Sequence, residues 1–458
     1  MQFFEALLSQ INTRFLSPAA CLVLLFAGVF LSVKLRFFQF SNPVKLWRVM
    51  NKKMQGGTSP FKALTLALAG TLGVGNISGV AIAISIGGAG AVFWMWISAF
   101  LAMIVKYSEI VLAVHHRDVV SGEIHGGAMY YIKKGIKKKG TASVLACCFA
   151  LFCIFSSLST GSIIQVNSVS EAMFFTFRIS PIYIGVFMAL LTALAVFKPE
   201  SDKISSITVK LVPIMSGIFI FLSLCIIFGN IQHIPDVVKL ILNNAFTPDS
   251  AFGGLGGFVF SRSIRFGVTK GLFSNEAGCG TSTIAHASAN SASPSSQGVW
   301  GIFEVFFDTI ILCTMTAFVL LLSYGSNVPN DGGGIGVALD AYGFFIGKYA
   351  EYIMCAAIFL FAYATIICWA FYGCECIRFL GNSKAVKNIY LTFYILSIIY
   401  GAIAPSSFIW EIADLSICTI MIVNTLCVCA MSDTVKELSP IRKEKTQPLS
   451  SQKAPRST

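Results

Sequence analysis

The stretch Gly70-Thr71-Leu72-Gly73-Val74-Gly75-Asn76-Ile77-Ser78-Gly79 interrupts an apolar run that is long enough to cross a lipid bilayer. Glycine destabilises a helix by about 1 kcal/mol relative to alanine, so a continuous membrane helix is not expected to contain so many of them. Backbone that unwinds within a bilayer must find partners in protein or in a water-filled cavity. The stretch therefore predicts a discontinuous helix, which is a common binding site for substrates and ions in transporters.

The composition places the whole chain in a membrane. Of 458 residues, 55% are hydrophobic and only 12% are charged, and the mean hydropathy is +0.76. At about 20 apolar residues per crossing, we count about eleven spans joined by short loops. The net charge of +12 does not indicate a nucleic-acid partner, because the basic residues fall in alternate loops. The 14 cysteines are scattered through apolar segments without metal-ligand spacing, so we predict neither a metal cluster nor an enzyme cofactor.

A second interrupted span contains Lys270-Gly271-Leu272-Phe273-Ser274-Asn275-Glu276-Ala277-Gly278-Cys279-Gly280-Thr281. It falls five spans after the first break, so each half of the chain begins with a broken helix. An odd number of spans in each half requires the second half to be inverted. We therefore predict an all-α polytopic membrane protein with a five-plus-five inverted-repeat core and one extra N-terminal helix.

The same pattern gives boundaries along the chain. We predict an N-terminal interfacial helix over residues 1–17, a peripheral transmembrane helix over 18–33, a first five-helix repeat over 60–229, a second over 251–431, and a disordered cytoplasmic tail over 432–458. The loops on one side contain few basic residues, namely Arg14, Arg178, Lys239 and Lys348. By the positive-inside rule the N-terminus lies outside and the C-terminus is cytoplasmic.

Several polar side chains fall inside the spans. Lys106 and Glu109, one helical turn apart, are most simply a paired structural charge. Gln165 is either a ligand or part of a closely packed helix face. Glu276 could bind a cation, carry a proton or cap unwound amides, and capping is the simplest of the three. His286 is most simply a packed or interfacial residue.

The two breaks together offer the chemistry for a zwitterion. Amides from Gly73 to Asn76 can meet a carboxylate, while carbonyls near Phe273 to Asn275 can meet an ammonium group or a small cation. The alternative is that the glycines only allow helices to cross closely. The two glycine clusters carry Asn76, Asn275 and Glu276 at matching positions. This match favours a binding site over close helix crossing.

At these residues the chain resembles the alanine/glycine:cation symporter family, a branch of the amino acid–polyamine–organocation superfamily with the five-plus-five, leucine-transporter-like fold. The resemblance runs from about residue 20 to 432. The motifs that carry it are the first break at Gly70–Ile77, Gly90-Ala91-Val92-Phe93-Trp94-Met95-Trp96, the second break at Gly271–Gly278, and Ala364-Thr365-Ile366-Ile367-Cys368-Trp369 with Tyr372-Gly373.

The resemblance implies uptake of alanine or glycine, coupled to sodium or protons, by alternating access in a bacterial cytoplasmic membrane. It implies a monomer in contact with membrane lipid, with no enzymatic activity. Trp369 would limit the size of the substrate side chain, which is worth about 1 to 3 kcal/mol per methylene. The predicted substrate-binding residues are Gly73, Gly75, Asn76, Gln165, Phe273, Asn275, Gly278, Thr365 and Trp369, and the predicted sodium ligands are Leu72, Gly75 and Thr365.

The chain departs from the family pattern where a cation is expected. Val74 stands where the family usually has threonine, and Ala364 stands where it has a hydroxyl residue. Small hard cations want oxygen ligands, and neither side chain supplies one. The site then uses backbone oxygens and Thr365, or sodium coupling is weakened, lost or replaced by protons. The alternatives are a sodium-independent or proton-coupled exchanger, or a transporter-derived nutrient sensor, although the tail contains no signalling domain.

Overall fold

The protein is a bundle of helices with one small hairpin. The computed structural model describes residues 2–50, 59–120, 123–197, 201–246, 262–289, 293–329, 334–381 and 383–440. The predicted residues 251–261 of the second repeat and 441–458 of the tail lie outside this part of the chain. An antiparallel pair, β1 (Asp118–Val120) and β2 (Glu123–His125), lies in a segment that the sequence predicts to be loop.

The first half of the chain contains twelve helices in the described residues. They are α1 (Gln2–Ile11), α2 (Ser17–Lys34), α3 (Pro43–Met50), α4 (Pro60–Thr71), α5 (Ser78–Gly87), α6 (Ala91–His116), α7 (Ala128–Gly135), α8 (Lys139–Leu158), α9 (Ile164–Phe177), α10 (Pro181–Val196), α11 (Ser201–Gly229) and α12 (Ile234–Ala245). A π-helical segment, Ser159–Ile163, joins α8 to α9, so the two form one continuous span.

The second half is built in a similar way. Its helices are α13 (Arg262–Asn275), α14 (Thr283–Ala287), α15 (Pro294–Val305), α16 (Thr314–Tyr324), α17 (Ile335–Ile346), α18 (Lys348–Leu380), α19 (Lys384–Ile403), α20 (Ser406–Ala430) and α21 (Ser432–Leu438). A π-helical segment, Phe306–Cys313, joins α15 to α16 into one span. Helices α12 and α17 lie in segments that the sequence predicts to be loops, because both are too short to be recognised as spans.

Within the described residues, 8 helices are long and apolar enough to cross a membrane, and the bent pair of α4 with the segment Val74–Gly87 brings the number to 9. The eleven predicted spans also include α10, which is apolar but only 16 residues long. The eleven predicted spans also count α13 and α14 together as one span, which the second break divides. Length and hydropathy alone therefore identify fewer spans than the sequence pattern predicts.

Burial follows the arrangement expected in a bilayer. Helix α6, which lies at the centre of the bundle, is buried along nearly its whole length. On α10 large apolar side chains face outward, as at Leu190 and Leu194, which are 62% and 77% exposed. Such a distribution suits a protein whose surface contacts lipid, because apolar side chains there are not in water.

The sequence predicts a boundary at residue 17 between an interfacial helix and a transmembrane helix, but the structure has no break there. Helix α1 continues through the π-helical segment Asn12–Leu16 into α2 without a turn. Asn12 Nδ2 donates to the Glu411 carboxylate at 2.6 Å, and Lys34 Nζ lies 2.8 Å from Asp433 Oδ1. Helices α2 and α20 therefore run side by side in the same direction. The Lys34 ammonium also holds the pKa of Asp433 below its usual value.

The chain after α20 begins with a helix. Residues Ser432–Leu438 form α21, and Ser432 and Val435 are buried. The prediction that disorder starts at residue 432 is therefore wrong for these residues. Val435 belongs to the buried apolar core, which the polar composition of the segment does not indicate.

Candidate functional site

The first glycine stretch is unwound, as the sequence predicts. Helix α4 ends at Thr71, a short 3-10 turn covers Val74–Asn76, and α5 begins at Ser78. The two helical pieces are bent by 64°. Gly73 between them is extended, with φ −107° and ψ −163°. Every residue from Gly70 to Gly79 is buried, so the amides and carbonyls that the break releases must be satisfied within the protein.

Gln165 supplies one of these partners. Its Oε1 accepts a hydrogen bond of 3.1 Å from the Val74 backbone N–H, and its Nε2 donates to the Thr160 carbonyl at 3.1 Å. Thr160 belongs to the π-helical segment between α8 and α9, a kind of segment often found at functional sites. A Cβ on Gly73 would lie 2.9 Å from Gln165 Oε1, so a larger residue here would displace the Gln165 side chain.

Oxygen atoms converge at Thr365 on α18. The Thr365 Oγ1 lies 3.0 Å from the carbonyl of Ala69, 3.4 Å from that of Leu72 and 3.0 Å from that of Phe361. One hydroxyl proton cannot serve three carbonyls, so the cluster carries an excess of partial negative charge. Such a set of neutral oxygens suits a small hard cation. The cluster contains the predicted ligand Leu72 and also the carbonyl of Ala69, which was not predicted.

Trp369 contacts the same break one turn further along α18. Its Nε1 donates to the Gly70 carbonyl at 3.3 Å, and its ring is fully buried against Tyr372. Gly161 lies directly against it, because any Cβ there would collide with the Cβ of Trp369. The glycine in the π-helical segment therefore lets the indole approach the broken helix.

Gly75 and Phe273 bring the two breaks together. A Cβ on Gly75 would lie 3.1 Å from the Phe273 ring. The ring also packs on Trp410 of α20 with centroids 4.9 Å apart, and Lys270 Nζ lies over both rings. Lys270 pairs with Asp414 at 3.0 Å. The rings of Phe273 and Trp410, with the Lys270–Asp414 ion pair beside them, therefore pack where the two breaks come into contact.

The second break differs in detail from the first. Asn275 ends α13, its Oδ1 accepts from the Ala277 N–H at 3.0 Å, and its Nδ2 donates to Thr309 Oγ1 at 3.0 Å. Glu276 has a left-handed φ of 51°, which is uncommon for a residue with a side chain. Its carboxylate accepts from the Thr281 hydroxyl at 2.6 Å. The Glu276 side chain thus bridges its own break through a hydroxyl group, and not through the amides that the simplest prediction gives it.

The predicted substrate residue Gly278 makes its contacts with α20. Its carbonyl accepts from Asn424 Nδ2 at 2.8 Å, and its φ of 83° requires glycine. Asn424 Nδ2 also donates to Glu109 Oε1, and the Tyr131 hydroxyl donates to Asn424 Oδ1 at 2.6 Å. The structure therefore brings Gly278 to Asn424 and not to Gln165 or Thr365.

Asp308, which lies outside every motif noted in the sequence, is found where the two breaks meet. Its Oδ1 accepts from Asn76 Nδ2 at 2.7 Å, and its Oδ2 accepts from the Ser274 hydroxyl at 2.7 Å and the Thr309 hydroxyl at 2.8 Å. Asp308 is fully buried in the π-helical segment Phe306–Cys313. An ionisable residue within an apolar span is the signal that could have identified it.

A second buried charge cluster joins α6, the second break and α15. Lys106 Nζ lies 2.8 Å from Ser282 Oγ and 3.4 Å from Glu304 Oε1. His286 lies 2.8 Å from Glu304 Oε2, and its other ring nitrogen lies 2.8 Å from Gln297 Nε2. The closest polar contacts of Lys106 are therefore with Ser282 and Glu304, and that of Glu109 is with Asn424, while the opposite charges of Lys106 and Glu109 still attract each other. His286 is packed, as predicted, but within a polar network.

The structure thus gathers most of the predicted site residues around the first break. Gln165, Thr365 and Trp369 all contact the stretch from Ala69 to Val74, and Phe273 contacts Gly75. Asn76 and Asn275 both face the span that contains Asp308. In the part of the chain that the structure describes, no group of three or more His, Cys, Asp or Glu side chains could hold a metal ion.

A bundle of membrane helices, two of them broken and facing buried polar groups, defines a membrane transporter with discontinuous helices. A family model described as the sodium:alanine symporter family matches residues 1–453, and the chain belongs to this family. It is a multi-pass membrane transporter and not an enzyme. The family and its named members support cation-coupled transport of amino acids.

Individual relatives cover nearly the whole chain. The sodium/alanine symporter AgcS of Methanococcus maripaludis is 34% identical over 97% of this chain and 99% of its own length. The probable sodium/glutamine symporter GlnT of Bacillus subtilis is 31% identical over 95% of this chain and 90% of its own length. Among solved structures, a manganese transporter of Eremococcus coleocola has a TM-score of 0.49 at 13% identity, covering 83% of this chain and 79% of its own.

Proposed function

We propose that the chain is a secondary active transporter that takes up alanine or glycine together with sodium by alternating access. It works as a monomer in a bacterial cytoplasmic membrane, with the N-terminus outside and the C-terminus in the cytoplasm. The observation that carries the proposal is the unwound stretch from Leu72 to Val74, which meets Gln165 on one side and the oxygen cluster of Thr365 on the other. The alanine symporter named among the relatives supports this substrate class.

The proposed topology has eleven crossings in a five-plus-five inverted repeat. Adding α10 and the pair α13 with α14 to the nine spans gives this number. Each half then starts with a broken helix. The parallel course of α2 and α20, with Asn12 at one end and Lys34 at the other, fits an odd number of crossings. The termini then lie on opposite sides of the membrane.

The proposed substrate site lies along the first break. Partial charges at the ends of the half-helices favour the carboxylate and ammonium groups of an amino acid. Gln165, Trp369 and Phe273 surround this stretch, and their bulk favours a small side chain. A relative named as a probable glutamine symporter makes glutamine the informative competitor. Selection against its longer side chain rests on the steric limit imposed by Trp369.

The proposed sodium site consists of the carbonyls of Ala69, Leu72 and Phe361 with the hydroxyl of Thr365. It joins the broken helix to α18. Sodium bound there would hold α4 and α18 together, so ion binding would stabilise the conformation that binds the substrate. Transport then depends on the different stabilities of the outward-facing and inward-facing states with both ligands bound.

The test is uptake of labelled alanine, glycine and glutamine into proteoliposomes, with sodium and proton gradients imposed separately. We expect a sodium gradient to drive accumulation of alanine and glycine, and glutamine to compete weakly. Proteoliposomes without the protein provide the background. If neither gradient drives accumulation while exchange of internal for external alanine persists, the chain is an exchanger and the symport proposal fails.

Replacing Thr365 with valine should weaken sodium coupling while retaining the shape of the side chain. A contact with a charged group is worth about 1.5 to 3 kcal/mol, so the sodium concentration for half-maximal uptake should rise at least about tenfold. Thr392→Val is the matched control, because Thr392 is exposed on α19 and its hydroxyl bonds the backbone of its own helix. An unchanged sodium requirement in Thr365→Val would rule out this oxygen cluster as the site.

A proton-coupled or sodium-independent exchanger is the second candidate, because Val74 and Ala364 add no oxygen to the cluster. Both side chains are fully buried. Restoring hydroxyls with Val74→Thr plus Ala364→Thr should lower the sodium concentration needed for half-maximal uptake by roughly a hundredfold, if each oxygen contributes about 1.5 kcal/mol as in other charge-assisted contacts. Uptake assays across a sodium series at constant ionic strength measure this. No change would mean that the missing hydroxyls do not limit coupling.

A further inference from the structure

A cavity of about 150 Å³ opens between the end of α18 and the start of α19. A single water needs about 10 to 15 Å³ of such space, so a group the size of a phosphate fits. None of the described residues that line the cavity belongs to the proposed substrate or sodium site. They combine basic, hydroxyl and apolar side chains, namely Cys374, Ile377, Arg378, Ser383, Lys384 and Lys387.

The basic side chains of this cavity carry more positive charge than their neighbours cancel. Arg378 has acidic partners, but neither Lys384 nor Lys387 forms an ion pair in the ranges that the structure describes. No Asp or Glu is found among the described residues of the cavity wall. Two lysines that share a recess without a counter-ion repel each other, so an anion that enters is attracted by both.

The β-hairpin holds Arg378 at the cavity wall. The Arg378 Nη1 donates to Glu123 Oε2 of β2 at 3.3 Å, and it lies 3.2 Å from Glu375 Oε1 and 2.9 Å from His125 Nδ1. Within the described part of the chain, all contacts of the guanidinium use this one nitrogen. A guanidinium has further N–H donors on Nε and Nη2, so these remain for an anion. The fork of an arginine that is held in place matches the oxygens of a phosphate.

The unpaired charges indicate the kind of anion. A phosphate monoester carries a charge of about −1.5 to −2 at pH 7, which the two lysines match. A chloride ion or a single carboxylate would leave one lysine unbalanced. The Ser383 Oγ accepts from the Val386 N–H at 3.5 Å, which leaves the hydroxyl proton to donate to a phosphate oxygen.

We propose that this cavity binds a phosphate monoester, either as the headgroup of a membrane lipid or as a free anion. The proposed topology makes the loop between α18 and α19 cytoplasmic, and basic pockets between spans on that side are typical sites for anionic headgroups. The same charges would hold free phosphate, so the experiment compares the two sources. The inference rests on the proposed function only for the side of the membrane, because binding here does not require transport.

The test is equilibrium binding of labelled inorganic phosphate to the purified full-length protein in detergent, without sodium or amino acid and at constant ionic strength. Unlabelled inorganic phosphate and dioctanoyl phosphatidic acid are the competitors. Displacement by phosphatidic acid at a lower concentration than by inorganic phosphate would identify the lipid as the ligand. Displacement at an equal or higher concentration would identify the free anion. Dioctanoyl phosphatidylcholine, whose choline group offsets its phosphate, should not displace the label.

Lys384→Gln plus Lys387→Gln should raise the dissociation constant for phosphate roughly tenfold, because each surface charge contact changes affinity by up to about fivefold. Lys384→Arg plus Lys387→Arg keeps both charges and should retain binding. The matched control is Lys138→Gln plus Lys139→Gln, which removes two exposed basic residues at the start of α8 that lie outside the cavity wall. Size-exclusion chromatography shows that each variant is folded.

The inference is overturned if the wild type binds neither inorganic phosphate nor phosphatidic acid, or if Lys384→Gln plus Lys387→Gln binds phosphate as tightly as the wild type. It is also overturned if the control loses as much affinity, since binding would then reflect general surface charge. Displacement by phosphatidylcholine at the same concentration as phosphatidic acid would overturn it as well. Failure of alanine uptake in proteoliposomes would leave these results unaffected, and loss of phosphate binding would leave the proposed function standing.

Discussion

Gly73→Ala should abolish most alanine uptake while the protein still folds. The backbone at Gly73 is extended and open to any residue, so the effect would come from the added methyl group alone. That methyl would lie 2.9 Å from Gln165 Oε1 and 3.1 Å from Thr365 Oγ1. Overpacking costs about 1 to 3 kcal/mol, which corresponds to a loss of affinity of about 5-fold to 150-fold.

The control for this variant lies in the same broken span. A methyl group added at Gly79 on α5 would meet no atom of another element within 4 Å among the described residues, so Gly79→Ala should transport normally. It should also be slightly more stable, since alanine favours a helix by about 1 kcal/mol over glycine. Uptake per folded protein, with the folded amount taken from size-exclusion chromatography, compares the two. Equal uptake by both variants would mean that crowding of Gln165 and Thr365 does not affect the site.

Lys106→Met should destabilise the protein strongly. Lys106 is fully buried, and its removal leaves the Glu304 carboxylate with His286 alone. Breaking a buried ion pair by removing one partner costs about 3 to 5 kcal/mol. We therefore expect a lower yield and a lower melting temperature in detergent. Lys139→Met, at an exposed position at the start of α8, should change stability by no more than about 0.5 kcal/mol.

A double variant separates charge from packing at this position. Glu304→Gln in the Lys106→Met background removes the uncompensated carboxylate and should recover part of the lost stability. The amide of glutamine can still accept from His286, so the second change leaves that contact possible. If the double variant is less stable than Lys106→Met alone, the ion pair is not the source of the stability. The stability would then come from the contacts of the lysine stem with neighbouring helices.

The sequence predicts the broken helix well because the cause is local. Glycine weakens a helix wherever it occurs, and the amide side chain of Asn76 beside it indicates a polar environment, so the unwound stretch can be recognised without knowledge of its neighbours. Gln165 and Thr365 are different. Their contact with the break depends on how spans far apart in the chain pack together, and only the resemblance to a known family points to them.

The contacts that the sequence does not predict also depend on packing between distant spans. Lys106 and Glu109 are one turn apart and suggest a local pair, but partners on other helices offer better geometry. Asp308 is easily missed because it is a single carboxylate in a long apolar span, and its significance depends on Asn76 and Ser274, which lie in two other spans. Gly75 remains a predicted cation ligand, and the structure adds that the Phe273 ring lies against this glycine.

The helix formed by α1 and α2 is fixed to the last span at both ends, through Asn12 with Glu411 and through Lys34 with Asp433. Sliding of one helix along the other would break both polar contacts at once. The two contacts therefore favour movement of α2 and α20 together. A peripheral helix that looks featureless in sequence is thus attached to the helix whose Asn424 and Trp410 contact the second break.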